Sequence, residues 1–337
     1  MKILAWLALL AVLVVVIPVG YIASIGFYRG YDVVHGLQTI ISPHASGTTI
    51  SEEKVPPVMH DVSWVGDIEN HRLKEASGLA QSNVSPELFF AINDSGNEPE
   101  IFAMDRQGND LGFWAVDVDR NVDWEDLASF RYRDQNYLLI ADSGDNLLWR
   151  PWIEFFIIKE PDPDSLSLDS VIPVEWSLKM TYPNGYRDSE AVAVDEKSET
   201  ILILSKRAVP AEIYRIPLKS STGYVQATRM ALLDTIPQPN EQDLWESSWY
   251  GHSRSQPTAF DLNGNTAVVI TYKDAYLYRR GWRENWIEAF AKVPVRIPLP
   301  LVHQQESGLI TRDGKYLYVT TEREDGTGRA GLYRVAL

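Results

Sequence analysis

The chain of 337 residues contains no cysteine. That absence removes disulfide scaffolds, cysteine-ligated zinc, iron–sulfur clusters, thiol nucleophiles and lipid anchors on cysteine together. It leaves the redox compartment open, because a large domain can live in an oxidising space without disulfides. Basic residues are also scarce, 31 against 46 acidic ones, for a formal charge of -15. Binding to nucleic acid needs a basic footprint, so no nucleic-acid partner is expected. The six histidines show no H-x-x-x-H spacing, which argues against zinc. No G-x-S-x-G elbow is present to suggest a serine hydrolase. Core material is plentiful: 45% of residues are hydrophobic, with 11 tryptophans and 16 tyrosines, the composition of a globular protein.

One hydrophobic run is long. Ile3 to Phe27 is almost unbroken apolar sequence, about 25 residues, enough to cross a ~30 Å hydrocarbon core. Lys2 precedes it, and Tyr21, Phe27 and Tyr28 sit where interfacial aromatics belong. Residues 1–28 are therefore expected to be a retained single-pass membrane anchor. The rival reading, a cleaved signal peptide, calls for a shorter apolar run and a small-x-small cleavage site. Lys2 favours a periplasmic or extracellular domain, while Arg29 pulls the other way. Residues 29–60 read as a linker, and residues 61–337 as one domain.

From Asp61 onward the pattern is short strands without a strong amphipathic helix, so internal repetition is the signal to seek. A polar residue, a small or acidic residue and a large apolar residue recur five times: Ser77-Gly78-Leu79, Glu125-Asp126-Leu127, Glu190-Ala191-Val192, Thr258-Ala259-Phe260 and Ser307-Gly308-Leu309. Each copy is followed by a strongly apolar strand (Leu88–Asn93, Tyr137–Asp142, Thr200–Ser205, Ala267–Tyr272, Tyr316–Thr321) and then by a third strand. A further candidate strand precedes each copy: Val62–Ile68, Gly112–Val118, Val174–Tyr182, Ala227–Ile236 and Trp286–Val295. Four antiparallel strands recurring at intervals of roughly 47 to 68 residues form the unit of a propeller blade. The expected fold is all-β, a β-propeller of five blades with six as the alternative. Val62–Ile68 would complete the blade of Gly331–Val335 and close the ring, leaving few sheet edges exposed.

In a blade the start of strand one lies beside the end of strand two. This groups Ser77, Glu125, Glu190, Thr258 and Ser307, with Glu306 adjacent, at one mouth of the central channel. The ends of the second strands add Asp94, Asp142, Lys206 and Arg207. The long loop Pro239–Gln256 adds Trp245, Trp249, Tyr250 and Arg254 to the same face. Carboxylates converging on a narrow axis must be neutralised, protonated or coordinated. Oxygen donors without sulfur or repeated histidine suit a hard cation, calcium above all. The competing reading is that these side chains cap strands and bond nearby backbone groups.

The strings Glu75-Ala-Ser-Gly-Leu, Asp123-Trp-Glu-Asp-Leu, Asp188-Ser-Glu-Ala-Val, Gln256-Pro-Thr-Ala-Phe and Gln305-Glu-Ser-Gly-Leu resemble the channel motifs of calcium-activated apyrases. Those are five-bladed nucleotidases with one calcium on the axis. The resemblance implies Ser77, Glu125, Glu190 and Thr258 as calcium ligands, with Thr258 where that family has serine. From the fifth copy either Glu306 or Ser307 would serve. Asn93-Asp94-Ser95-Gly96 and Asp142-Ser143-Gly144-Asp145-Asn146 look closer to bacterial envelope propellers of the SdiA-regulated and phytase-like esterase type.

Two functions remain. One is a tethered ring that presents its loops to a ligand or protein partner, with calcium stiffening the channel. The alternative is calcium-dependent hydrolysis of a phosphate ester or anhydride. There Lys206, Arg207 or Arg254 would stabilise developing charge and Asp94 or Asp142 would act as general base. A basic pocket on the motif face favours the hydrolase, and an acidic face favours the module. Two further signals are weak. Gly326–Gly331 matches G-x-G-x-x-G but lies between two strands, as a hairpin loop would. The string Asp117-x-Asp119-x-Asn121-x-Asp123 starts like a calcium loop, yet Val122 stands where the glycine belongs and Ala128 where the bidentate glutamate belongs.

Overall fold

The computed structural model describes residues 47–164, 167, 169–246, 251–300, 302, 304–322 and 330–337. The expected anchor and the first part of the linker lie outside the described residues, as do Trp249, Tyr250 and most of the Gly326–Gly331 string. Among the described residues, no helix is long and apolar enough to cross a membrane.

Strand β1 (Val62–Asp67) does not pair with the strand that follows it in sequence. Blade one is β2 (Ala76–Gln81), β3 (Leu88–Asn93), β4 (Glu100–Asp105) and β5 (Asp110–Val116). Blade two is β6 (Trp124–Tyr132), β7 (Gln135–Asp142), β8 (Ile153–Lys159) and, after the short β9 (Val171–Ile172), β10 (Val174–Thr181). Blade three is β11 (Ala191–Asp195), β12 (Thr200–Leu204), β13 (Ala211–Pro217) and, after the short β14 (Tyr224–Gln226), β15 (Thr228–Leu233). Blade four is β16 (Pro257–Asn263), β17 (Thr266–Thr271), β18 (Asp274–Arg279) and β19 (Val295–Pro298). Blade five is β20 (Gln305–Ile310), β21 (Tyr316–Thr321), β22 (Gly331–Ala336) and β1, whose Val62 pairs with Val335. The protein is thus a five-bladed, all-β propeller whose first strand closes the ring. The short β9 and β14 add parallel fifth strands to blades one and two, which the four-strand pattern does not foresee.

Burial falls off from the axis outward. Inner strand β2 and its neighbour β3 are buried at every position, whereas in the outer β10 only Leu178 and Met180 are buried. Successive side chains of a strand point to opposite faces, so each blade packs against two neighbours. On β7, Leu138 and Ile140 join the cluster shared with blade one, while Leu139 and Ala141 join the cluster shared with blade three. Five such clusters fill the five blade interfaces. Inner strands approach so closely that a Cβ added at Gly78 would lie 2.6 Å from the Leu127 amide nitrogen. The glycine of the Ser-Gly-Leu motif is therefore a packing requirement.

Blade two places Asp126 after its motif glutamate, and the fully buried carboxylate stitches three blades together. It accepts from the amides of Leu127 (2.8 Å), Val192 of blade three (2.7 Å) and Phe260 of blade four (3.2 Å).

The expectation of a strand over Trp286–Val295 is corrected by the structure. Helix α2 spans Trp286–Phe290 (after α1, Glu241–Glu246), and the blade's outer strand is β19. The cause is local: Asn285 and Glu288 form a reciprocal capping box, which starts a helix wherever it satisfies the first free amides. The described end of the segment read as a linker, residues 47–60, is bonded to the propeller. Gly47 N donates to Val209 O (2.6 Å), Ile50 N to Asp234 O (2.7 Å) and Val58 N to Arg296 O (2.8 Å). Val55 is buried in the cluster between blades three and four.

Candidate metal centre on the propeller axis

A repeated irregularity sets the motif residues at the channel mouth. Where strand one begins, its pairing with strand two skips a residue: Ala76 faces Asn93 and Gly78 faces Ile92. The same skip occurs between Trp124 and Asp126, Pro257 and Ala259, and Gln305 and Ser307. A β-bulge leaves one residue unpaired and re-aims its side chain. Here those residues are Ser77, Glu125, Thr258 and Glu306, so the fifth copy offers Glu306 in the bulge position, with Ser307 beside it. In blade three, Glu190 directly precedes β11. The motif hydroxyls each reach the next blade around the ring. Ser77 Oγ donates to the Glu125 carbonyl (2.8 Å), Thr258 Oγ1 to the Gln305 carbonyl (2.8 Å) and Ser307 Oγ to the Ala76 carbonyl (3.3 Å).

The carboxylates converge. Three groups have ligand oxygens within 4.8 Å of one another: Asp94, Asp123 and Glu125; Asp94, Glu306 and Glu322; Glu125, Asp188 and Glu190. Asp94 and Glu125 are each shared by two groups, so seven carboxylates form one connected cluster. Asp94, expected as a base, and Asp123, Asp188 and Glu322 were not among the ligands expected from sequence. The signal for Asp123 and Asp188 was present in Asp123-Trp124-Glu125 and Asp188-Ser189-Glu190. In extended chain a spacing of two puts both carboxylates on one side. Gly144 is the close wall of this cluster. A Cβ there would lie 2.1 Å from Glu125 Oε1 and 2.5 Å from Asp123 Oδ2.

Burial and mutual repulsion drive protons onto the cluster. The Asp94 carboxyl is pushed up to about 7 by burial and then by Asp123. Asp123 rises to about 6 through burial, although the Arg150 guanidinium pulls it down. Burial holds Glu125 well above the usual carboxylate range, and Glu190 and Asp94 add to the effect. Glu190 is likewise raised by burial against the pull of Lys206. Glu322 is pushed up to about 10 by burial and by the charge of Glu306. Glu306 goes the other way. Burial opposes its charge, but Lys206 and hydrogen bonds from Glu322, Tyr272 and Gln304 hold it below the usual range.

The expected cations are nearby but occupied. Lys206 Nζ pairs with Glu190 and donates to the Tyr272 hydroxyl (2.9 Å), which donates to Glu306 Oε1 (2.7 Å). Arg207 Nε donates to Asp188 Oδ2 (2.6 Å), and its Nη2 reaches Asn146. Asp142 is held by Arg150 (2.6 Å) and accepts the Asp123 amide (3.2 Å), so it supports the cluster from outside. Arg254 pairs with Asp243 (3.8 Å) and Glu246 (3.3 Å) on α1, within its own long loop. In the Asp117–Asp123 loop, Asn121 donates to the carbonyls of Asn93 (2.9 Å) and Asp94 (2.7 Å), tying that loop to blade one. Asp123 is the member of this loop that enters the axial cluster.

This donor set is all oxygen, crowded and incompletely neutralised. It suits a hard divalent cation, for which several carboxylates at one point are ligands instead of mutual penalties. Among the described residues, the cations bordering the cluster (Arg150, Lys206 and Arg207) are each paired with a carboxylate.

No family model matches the chain, and no curated protein matches it. Several solved structures resemble it. A luciferin-regenerating enzyme is 10% identical, with 82% of this chain and 95% of that one covered and a TM-score of 0.42. The PQQ-bound aldose sugar dehydrogenase of Streptomyces coelicolor is 13% identical, with 83% and 99% covered and a TM-score of 0.39. The hydrazine synthase of Kuenenia stuttgartiensis is 10% identical, with 78% and 71% covered and a TM-score of 0.41. At scores this low the likeness carries no argument about chemistry, and the propeller stands on its own strand pairing.

Proposed function

We propose that the protein is a membrane-tethered, extracytoplasmic β-propeller that holds calcium in its axial carboxylate cluster and acts as a binding module for a ligand or protein partner. The observation that carries this reading is the convergence of seven carboxylates whose neighbouring cations are already paired. Among the described residues such a face is acidic, with each bordering cation already paired to a carboxylate. Glu125, Glu190 and Glu306 would hold the ion, with Asp94, Asp123 and Asp188 completing the oxygen shell, while Ser77, Thr258 and Ser307 join the blades around it. The tether rests on the apolar run Ile3 to Phe27.

A second reading, calcium-dependent hydrolysis of a phosphate ester or anhydride, is favoured by one observation. Asp94 is only partly buried, and with the ion held by Glu125, Asp188 and Glu190 it would be free to take a proton from an attacking water. Bound calcium would supply charge stabilisation to the phosphate there.

Calorimetric titration of calcium into the purified protein at neutral pH separates these readings, run beside phosphate-release assays on nucleotides and phytate. Binding without turnover, abolished in Glu125→Gln, supports the module. Turnover that disappears in Glu125→Gln moves the assignment to the hydrolase. Neither binding nor turnover leaves the carboxylates as strand caps. Gly144→Ala provides an independent check, since its Cβ meets both Glu125 and Asp123. Calcium affinity is expected to fall roughly ten- to a hundred-fold with an unchanged far-UV spectrum. Unaltered affinity would remove Glu125 and Asp123 from the ligand set.

A further inference from the structure

Between the outer strands of blade two and the chain that links it to blade one lies a cleft of about 590 Å³, within the range of pockets that enclose small ligands. It is separate from the axial cluster: Asp142 and Arg150, paired at 2.6 Å, stand between the two.

The lining argues for the class of occupant. Its charges are nearly self-neutralised, with carboxylates Asp117, Asp119, Asp142 and Glu154 (four) against Arg120, Arg150 and Lys179 (three), a balance of one negative charge. An anion meets a net negative wall with Arg150 already paired, and a cation meets three positive groups. Beside these polar groups are Phe156, the cross-strand partner of Ser177, and Val174 and Trp152, which remains 40% exposed. Lys179 Nζ lies 5.2 Å from the Trp152 ring centroid, which fixes the ring's orientation. Ser177 Oγ donates to Glu154 Oε1 (2.9 Å), so that carboxylate is aimed while keeping acceptor capacity.

An exposed aromatic ring set beside oriented acceptors and donors matches a neutral ring with an apolar C–H face and a rim of hydroxyls. We propose that this cleft binds a neutral saccharide, with Trp152 stacking on the sugar ring and Glu154 and Ser177 bonding its hydroxyls. The site makes no use of the axial cluster and stands whether or not that cluster holds calcium.

Saturation-transfer NMR on the full chain with cellobiose, chitobiose and maltose, and phytate as the anionic comparator, tests this. At least one disaccharide is expected to bind at millimolar concentration. Trp152→Ala should weaken it on the order of ten-fold, the effect of losing one aromatic contact. Glu154→Gln should weaken it less, and Glu125→Gln should leave it unchanged. Trp152 is partly exposed, so its replacement is not expected to disturb folding, and a melting curve verifies that. Silence from all three sugars, preferential binding of phytate, or sugar binding that survives Trp152→Ala would each overturn the assignment.

Discussion

In EDTA, the unfolding midpoint of the protein is expected to fall as pH rises from about 4 to about 8, and calcium is expected to reverse that fall. The folded-state carboxyls of Asp94 and Asp123 lie at about 7 and about 6, above the usual aspartate value of about 4. The folded state therefore holds protons that the unfolded chain has already released. Stability from these groups is complete below about 4 and is lost as pH climbs through 6 to 7. Asp94 alone, moved by about three units, accounts for roughly 4 kcal/mol. Calcium replaces those protons, so its affinity should rise over the same window and its binding should release them. At a hundred times its dissociation constant it returns about 2.7 kcal/mol. Glu125→Gln separates this mechanism from general acid stabilisation. It should raise the midpoint in EDTA at pH 8, because the amide is buried without taking up a proton, and abolish the response to calcium. Scanning calorimetry across pH decides the matter, and a midpoint indifferent to pH in EDTA would refute the crowded-carboxylate account.

The second large effect concerns Asp126. Its side chain accepts three backbone amides from three blades in a fully buried setting. Removing the acceptor leaves buried donors unsatisfied, each at roughly 1–3 kcal/mol. Asp126→Ala should therefore cost at least about 3 kcal/mol, and Asp126→Asn, which keeps one acceptor oxygen, should recover much of it. Denaturant unfolding of the two variants measures both. Equal losses would show that charge, not amide satisfaction, governs the position. A loss in Asp126→Ala near that of a surface substitution would show that the bridge contributes little.

The ring itself was legible because its grammar is local. A polar residue, a small residue and an apolar residue open each inner strand, and the blade interfaces need alternating apolar side chains, a period that sequence displays directly. The converging carboxylates were legible for the same reason, since Glu125 and Glu190 sit at equivalent starts of strand. Trp286–Val295 was misread because its apolar residues suit a strand as well as a short helix, while Asn285 and Glu288 decide between them. The docking of residues 47–60 left no pattern. One apolar side chain, Val55, enters the core, and backbone bonds do the rest. Arg254 illustrates a third limit. It is a cation on the motif face, but the fold-back of its own loop gives it Asp243 and Glu246 as partners, and no spacing in the sequence announces that choice.

The strap formed by residues 47–60 also defines a load path. A pull on the chain ahead of Gly47 first strains its bond to Val209, then that of Ile50 to Asp234, then the ion pair of Glu52 with Arg296 (2.6 Å). Only after Val55 leaves its seat and Val58 releases the Arg296 carbonyl would tension arrive at β1, the strand that locks blade five. Force is thus dissipated in contacts that can be remade, before it reaches the one seam whose opening would unroll the ring.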